Sequence, residues 1–325
     1  MKFHSLFISL VLFFGCVSVV SSEETRPDPQ TLINEMSKAS RELNYDGVFV
    51  YRLGKQVDTM RIIHKSDADG SIERLVSLTG HAREVIRDKD QVRCYFPENK
   101  AVVVEKSRLG KLISTYLPHP IKSISEFYIF EIAGEDRVAG LDAWIINIRP
   151  IDKYRYGYQL WIDKKSRLLL KSELKNQLGV TLEQIMFAQL NVLDEIEDAL
   201  LEPSVSDKDY TWHHNENKEN IDVTSNDKQW KATWMPAGFT MSEQSREAMI
   251  TSHMPVDHLI YSDGLAMVSI YVEKLNQQPD ANTGHSNFGG VNTYATHTGG
   301  YQITAVGEVP EATVKLMAAS VKSYQ

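Results

Sequence analysis

From Gly47 to Lys106 the chain changes side-chain character at every second residue, in six successive runs: "GVFVYRL", "TMRIIHK", "SIERLVSL", "AREVIR", "QVRCYF" and "KAVVVEK". A period of two places alternate residues on opposite faces, which is the geometry of a strand. The breaks between runs, such as Asp67-Ala68-Asp69-Gly70 and Asp88-Lys89-Asp90, are too short to hold a crossover helix. Consecutive strands must therefore pair antiparallel, and a parallel sheet of βαβ units is excluded. The stretch of about 107–135, "SRLGKLISTYLPHPIKSISEFYIFEIAG", reads as helical turns broken at Pro118 and Pro120. Strands resume in "DAWIINIRP", "YGYQLWID", "RLLLKSELK" and "TLEQIMFAQLNVL". Ahead of the first strand, Asp28 as N-cap, Pro29 in the first turn and an apolar stripe of Leu32, Met36, Ala39 and Leu43 predict a helix.

About ten strands in one curved sheet must bury a face against something or close on themselves. Segments such as Tyr154 to Trp161 carry large residues on both faces, more than a singly covered sheet needs. Helices or a ligand are expected over the inner face. The fold class that follows is α+β, with a large antiparallel sheet, an open half-barrel under covering helices, occupying residues 23–200. Residues 201–228 are acidic, Asn-rich and poor in strand pattern, and read as a linker. Residues 229–325 make a smaller α+β domain. In it "HLIYSDGLAMVSIYVEK" turns at Ser262-Asp263-Gly264, and a second hairpin turns around Thr298-Gly299-Gly300. Pro310 opens a last helix with Val314, Met317 and Val321 inward.

Residues 1–22 combine Lys2, a short apolar core and a small-residue end at Ser22, the pattern of a cleaved secretory signal. An uncleaved anchor or lipidation at Cys16 fits less well, since no basic flank follows and Phe13 and Phe14 are bulky for a lipoprotein site. Loss of Lys2 moves the formal charge from -8 to -9. Phosphate backbones repel so acidic a chain, and no nucleic acid is expected as a partner. The exported chain would keep one cysteine, Cys94, and so could form no internal disulfide. Cys94 shares a strand face with Val92 and Phe96, whereas Arg93 lies on the other face. Packing is the favoured role, over a nucleophile, which wants exposure and a nearby cation, or a mixed disulfide.

Catalytic patterns are not seen. No histidine pair brackets a carboxylate on a helical face, and the adjacent pair His213-His214 lacks further ligands at usable spacing. "FGGVN" and "TGGYQ" read as hairpin turns rather than phosphate loops, and no serine sits on a glycine-flanked strand-to-helix turn. The carboxylates Asp194, Glu195, Glu197 and Asp198 read as a solvated helix end. The expectation is a binding protein, not an enzyme, with no catalytic residue, cofactor or metal.

Several collinear blocks carry a family resemblance: "LNYDGVFVYRLGKQVDTMRIIHK", "REVIRDKDQVRCYFPENKAVVVEK", "TWMPAGF", "YSDGLAMVSIYVE" and "ITAVGEVPEATVKLMAASVK". Together they resemble the RseB/MucB family of periplasmic regulators of the sigma-E anti-sigma factor. The resemblance implies a larger domain like the lipoprotein carriers of the periplasm, and a smaller domain and linker that contact the partner. It implies a periplasmic negative regulator of the envelope-stress response. Such a regulator binds the periplasmic part of a membrane-spanning anti-sigma factor and shields it from site-one proteolysis. The acyl chains of lipoproteins or lipopolysaccharide would be its ligands. A periplasmic lipid or lipoprotein carrier without regulatory role is the rival reading, and self-association is left open. For the lipid pocket the candidates are Val48, Val50, Met60 and Ile62. Val48 and Val50 point one way in their strand while Phe49, Tyr51 and Leu53 point the other, and alternation does not say which set faces inward. Candidates for the partner surface are Tyr261 and Asp263, with the alternative that Asp263-Gly264 only makes a turn.

Overall fold

The computed structural model describes residues 27–68, 70–106, 121–214, 229–248, 255–275 and 283–324. The expected signal at 1–22 and the Pro118/Pro120 break lie outside them. Helix α1 (Pro29–Glu42) starts as its sequence dictates: Asp28 accepts from the Thr31 N–H at 2.8 Å, with Pro29 in the first turn. Its buried face, Leu32, Ile33, Met36 and Ala39, packs on the large sheet.

That sheet has twelve strands. The first six are β1 (Asn44–Leu53), β2 (Gln56–Asp67), β3 (Gly70–Ser77), β4 (Glu84–Arg87), β5 (Gln91–Phe96) and β6 (Ala101–Lys106). The next five are β7 (Tyr128–Val138), β8 (Leu141–Pro150), β9 (Gly157–Asp163), β10 (Leu169–Lys175) and β11 (Thr181–Leu193), and β12 is Thr211–His214. The order β12-β6-β5-β4-β3-β2-β1-β11-β10-β9-β8-β7 is two meanders joined where β1 pairs antiparallel with β11, Tyr51 opposite Ile185. Among the described residues the sheet is open, ending at β7 and β12, and β12 alone runs parallel to its neighbour.

In the large module two expectations are changed. Residues 128–135, the end of the stretch read from sequence as helical turns, belong to strand β7; Tyr128, Phe130 and Ile132 recur at period two, and among the described residues of that stretch Ile121–Ile124 makes a short 3₁₀ turn. Part of the expected linker is not extended in solvent. The buried pair Arg74–Glu84 holds the segment after β11, since Arg74 donates to the Leu200 carbonyl at 2.9 Å and Glu84 accepts from the Ser204 N–H at 3.1 Å. Val205 and Tyr210 then cover Ile86, Tyr95, Val102 and Val104, before β12 joins the sheet edge. Residues 215–228 lie outside the described residues.

The smaller module contains β13 (Gln229–Ala232), β14 (Thr240–Ala248), β15 (Pro255–Ser262), β16 (Met267–Lys274), β17 (Gly284–Phe288), β18 (Val291–Thr298) and β19 (Tyr301–Gly307). Helix α2 (Glu311–Ala319) and β20 (Val321–Tyr324) complete it. Six strands form an antiparallel sheet in the order β14-β15-β16-β19-β18-β17, and β13 pairs with β20. Val314 and Met317 of α2 are buried in the core beneath it, and Val321, expected on the helix, reaches the same core from β20. Among the described residues no helix is long and apolar enough to cross a membrane.

Candidate functional site

The two modules meet at two patches with a cavity between them. The first patch is built by the loop between β8 and β9. Arg155 is wholly buried; its Nε donates to Asp263 Oδ2 at 2.5 Å, and its other nitrogens donate to Asp152 and to the Ala237 carbonyl. Tyr128 donates to the same Asp263 oxygen at 2.9 Å. Phe127 and Phe239 lie 5.3 and 5.1 Å from the guanidinium, close enough for cation–π attraction. The loop's other members also cross: the Tyr154 carbonyl accepts from Thr313 at 2.8 Å, and Asn292 donates to Tyr156 at 2.9 Å.

The second patch is built by the turn between β17 and β18. The backbone of Gly289 and Gly290, in the turn between β17 and β18, sits directly on Leu53 and Leu174. Beside it, Glu183 of β11, Glu308, just past β19, and Tyr51 of β1 line the edge of one cavity. Burial, and then the Glu308 charge, push the Glu183 carboxyl up to about 7. Burial and the Glu183 charge likewise push the Tyr51 phenol up.

The cavity has a volume of about 1250 Å³, above the range of roughly 300–1,000 Å³ usual for small-molecule sites. One wall is the inner face of the large sheet, with Phe49, Met60, Leu160 and Ile185, together with Met36 of α1; the other is the small module, with Leu265, Met267, Val291 and Val306. Polar groups border it at Asp58, His81, Arg83 and Glu98, and His81 contacts Glu98 at 2.7 Å. An apolar interior with a polar rim suits a molecule with greasy tails and a hydrophilic head.

The expected pocket residues divide by face. Met60 lines the cavity, and Ile62, two positions along β2, shares its face and is buried in the core behind it. Val48 and Val50 lie on the opposite face, opposite Arg61 and Thr59 of β2 and half-buried. The inward set in β1 is Phe49 and Tyr51. Of the partner-surface candidates, Tyr261 is 1 % exposed and accepts from the Ala232 N–H at 2.8 Å. Asp263 is 8 % exposed, at the first patch. It makes the turn as well, with Oδ1 accepting from the Leu265 and Ala266 N–H groups. Cys94 is half-buried opposite Val85 and Val103. His213 and His214 are exposed on β12, where His214 stacks with Trp212. Sequence reasoning missed Arg155 and the Glu183–Glu308 pair; the only local sign of the first is a lone arginine among tyrosines in "DKYRYGYQL".

Family models for the MucB/RseB N-terminal domain and the MucB/RseB C-terminal domain match residues 28–205 and 224–322. The sigma factor AlgU regulatory protein MucB of Pseudomonas aeruginosa is 28% identical, covering 97% of this chain and 96% of that protein. The sigma-E factor regulatory protein RseB of Haemophilus influenzae is 28% identical over 99% of this chain and 98% of its own length. Among solved structures, MucB in complex with MucA(peri) matches at a TM-score of 0.73 and 26% identity, over 92% of this chain and 100% of that one. A Pseudomonas aeruginosa MucA/MucB complex gives 0.74 at 27% identity, over 92% and 100%. A further MucB structure gives 0.62 at 27% identity, over 91% and 98%.

Proposed function

The chain belongs to the MucB/RseB family of sigma-factor regulatory proteins, and from that premise we propose that it holds the periplasmic segment of a membrane anti-sigma factor. Bound there, it shields the segment from site-one proteolysis and keeps the envelope-stress sigma factor captive. The observation that carries this reading is the likeness, through both modules, to MucB bound to MucA(peri). The same arrangement supports a periplasmic location, since the segment it holds lies on that side of the membrane.

The cavity supports acyl chains as the regulating ligand. Each methylene taken from water into an apolar interior contributes roughly 0.8 kcal/mol. Both modules supply its walls, so a chain seated there changes how the modules meet. A ligand alters partner affinity only by binding the two states differently, and a tenfold change needs about 1.4 kcal/mol of coupling. Two methylenes gained or lost between the states are sufficient.

The direct test is binding of the purified protein to the periplasmic segment of its cognate anti-sigma factor. Retention of the segment, weakened by acylated ligand, is expected. Transfer of lipoprotein between membranes with no retention of the segment would replace this reading with that of a carrier.

A further inference from the structure

Three hairpin turns, two from the large module and one from the small, come together beside the cavity. The Gly54 N–H, in the β1–β2 turn, donates to the carbonyl of Leu182, just past the β10–β11 turn, at 3.2 Å. Gly289 and Gly290 of the β17–β18 turn sit against Leu53, Leu174 and Leu182. Around this junction four apolar side chains stand in solvent: Val57, Leu178, Val180 and Phe288, with 57 %, 88 %, 54 % and 59 % of their surface exposed. We propose that these turns form a docking surface for an anionic phospholipid bilayer, with the apolar tips seated among its headgroups.

The longest tip is built to project. Asn176 closes the β10–β11 turn, its Oδ1 accepting from the Leu178 and Val180 N–H groups at 3.0 Å, and Gly179 reverses the chain at a φ of +77°. Leu178 is thereby held outward on a fixed loop. Single exposed apolar residues are ordinary, whereas a group gathered from three turns marks a binding surface. Charge points to the occupant. The chain has 43 acidic residues against 35 basic ones, yet segments 53–57, 175–181 and 284–292 contain no Asp or Glu and carry Lys55, Lys175 and His285. Lys55 is exposed, Lys175 pairs with Glu173 at 3.0 Å, and His285 faces Glu311 at 3.7 Å. The nearby carboxyls of Asp58, Glu183 and Glu308 line the cavity instead. An acidic chain whose apolar tips carry lysine and no carboxylate can approach an anionic surface there, with an attraction that salt weakens. Separate projecting side chains enter a fluid bilayer without needing a matching pocket.

The surface is continuous with the cavity. Leu174, which supports Gly290, lines it, and so do Val291, next in the chain, and Gln56, beside Val57. A bilayer held at the tips therefore brings acyl chains to the cavity's edge. The docking surface extends the reading of the cavity as an acyl site, while its test uses neither the anti-sigma segment nor an added ligand.

Flotation of the purified protein with vesicles of phosphatidylethanolamine and phosphatidylglycerol reads docking directly, with phosphatidylcholine vesicles as the neutral reference. The protein should float with the anionic vesicles and less with the neutral ones. Leu178→Ser and Phe288→Ser should each weaken that partition roughly tenfold, and Lys55→Gln about fivefold. All three side chains are exposed, so the variants should keep their fold, which circular dichroism checks. Met241→Ser, on β14 at the opposite edge of the small sheet, removes a comparably exposed apolar residue and should float as the parent does. Met60→Gln, which alters the cavity wall, should also still float, so loss of the acyl site and loss of docking are told apart. Absence of flotation with the anionic vesicles overturns the proposal, and so does unchanged flotation of the folded Leu178→Ser and Phe288→Ser variants. Self-association without vesicles that Leu178→Ser abolishes would assign the tips to a second copy of the chain and overturn it as well.

Discussion

At the scale of single residues, Asp263 holds the first patch. It closes its own turn through Oδ1 and takes Tyr128 and Arg155 on Oδ2. Asp263→Asn leaves a guanidinium buried without its counter-charge, and breaking a buried pair from one side costs about 3–5 kcal/mol. The denaturation midpoint should fall accordingly, whereas Tyr128→Phe removes one hydrogen bond and costs about 1 kcal/mol. Equal losses in the two variants would show that the ion pair is not what holds the patch. Met60 and Val48 make a second pair of tests. Met60→Gln puts a polar group in the cavity wall and should weaken binding of a fatty-acid probe roughly tenfold, about 1.4 kcal/mol. Val48→Gln, on the opposite face, should leave that affinity unchanged. Cys94→Ser should keep partner binding intact with a stability loss of about 1 kcal/mol; inactivity with the fold preserved would restore a role for the thiol.

At the scale of elements, the loop between β8 and β9 is a tongue that three successive residues, Tyr154, Arg155 and Tyr156, fasten into the small module. It has little room to move. Gly238 has a φ of +84°, and a Cβ there would stand 2.3 Å from the Phe127 ring. Gly238→Ala thus combines backbone strain with a clash, and a loss of about 1–3 kcal/mol is expected in urea unfolding. The strands themselves were legible, because alternation and short turns are local properties. Residues 128–135 were not: in "EFYIFEIAG" the apolar residues lie close enough together to match either period, and the pairing with β8 decides. The β1–β11 pairing joins residues far apart in the chain, which no local pattern encodes. Alternation sorted Val48 and Val50 from Phe49 and Tyr51 correctly but could not say which set faced inward, because that depends on where the second module sits.

At the scale of the whole molecule, both modules wall one apolar space and are tied by the buried Arg155–Asp263 ion pair and by the contact of Gly289 and Gly290 with Leu53 and Leu174. In the proposed function, an acyl chain in that space changes the relation between the modules without unfolding either. The site was legible only in outline: the excess of large side chains on the large sheet implied a covered face, and α1 supplies part of that cover as expected, while the share of the second module appears only in three dimensions. The most direct test is site-one proteolysis of the periplasmic segment of the cognate anti-sigma factor, followed with this protein present and with acylated ligand added. The protein alone should slow cleavage, and the ligand should restore it, with a shift in the protein concentration needed for protection of roughly tenfold. Protection that saturating ligand leaves unchanged would contradict the account.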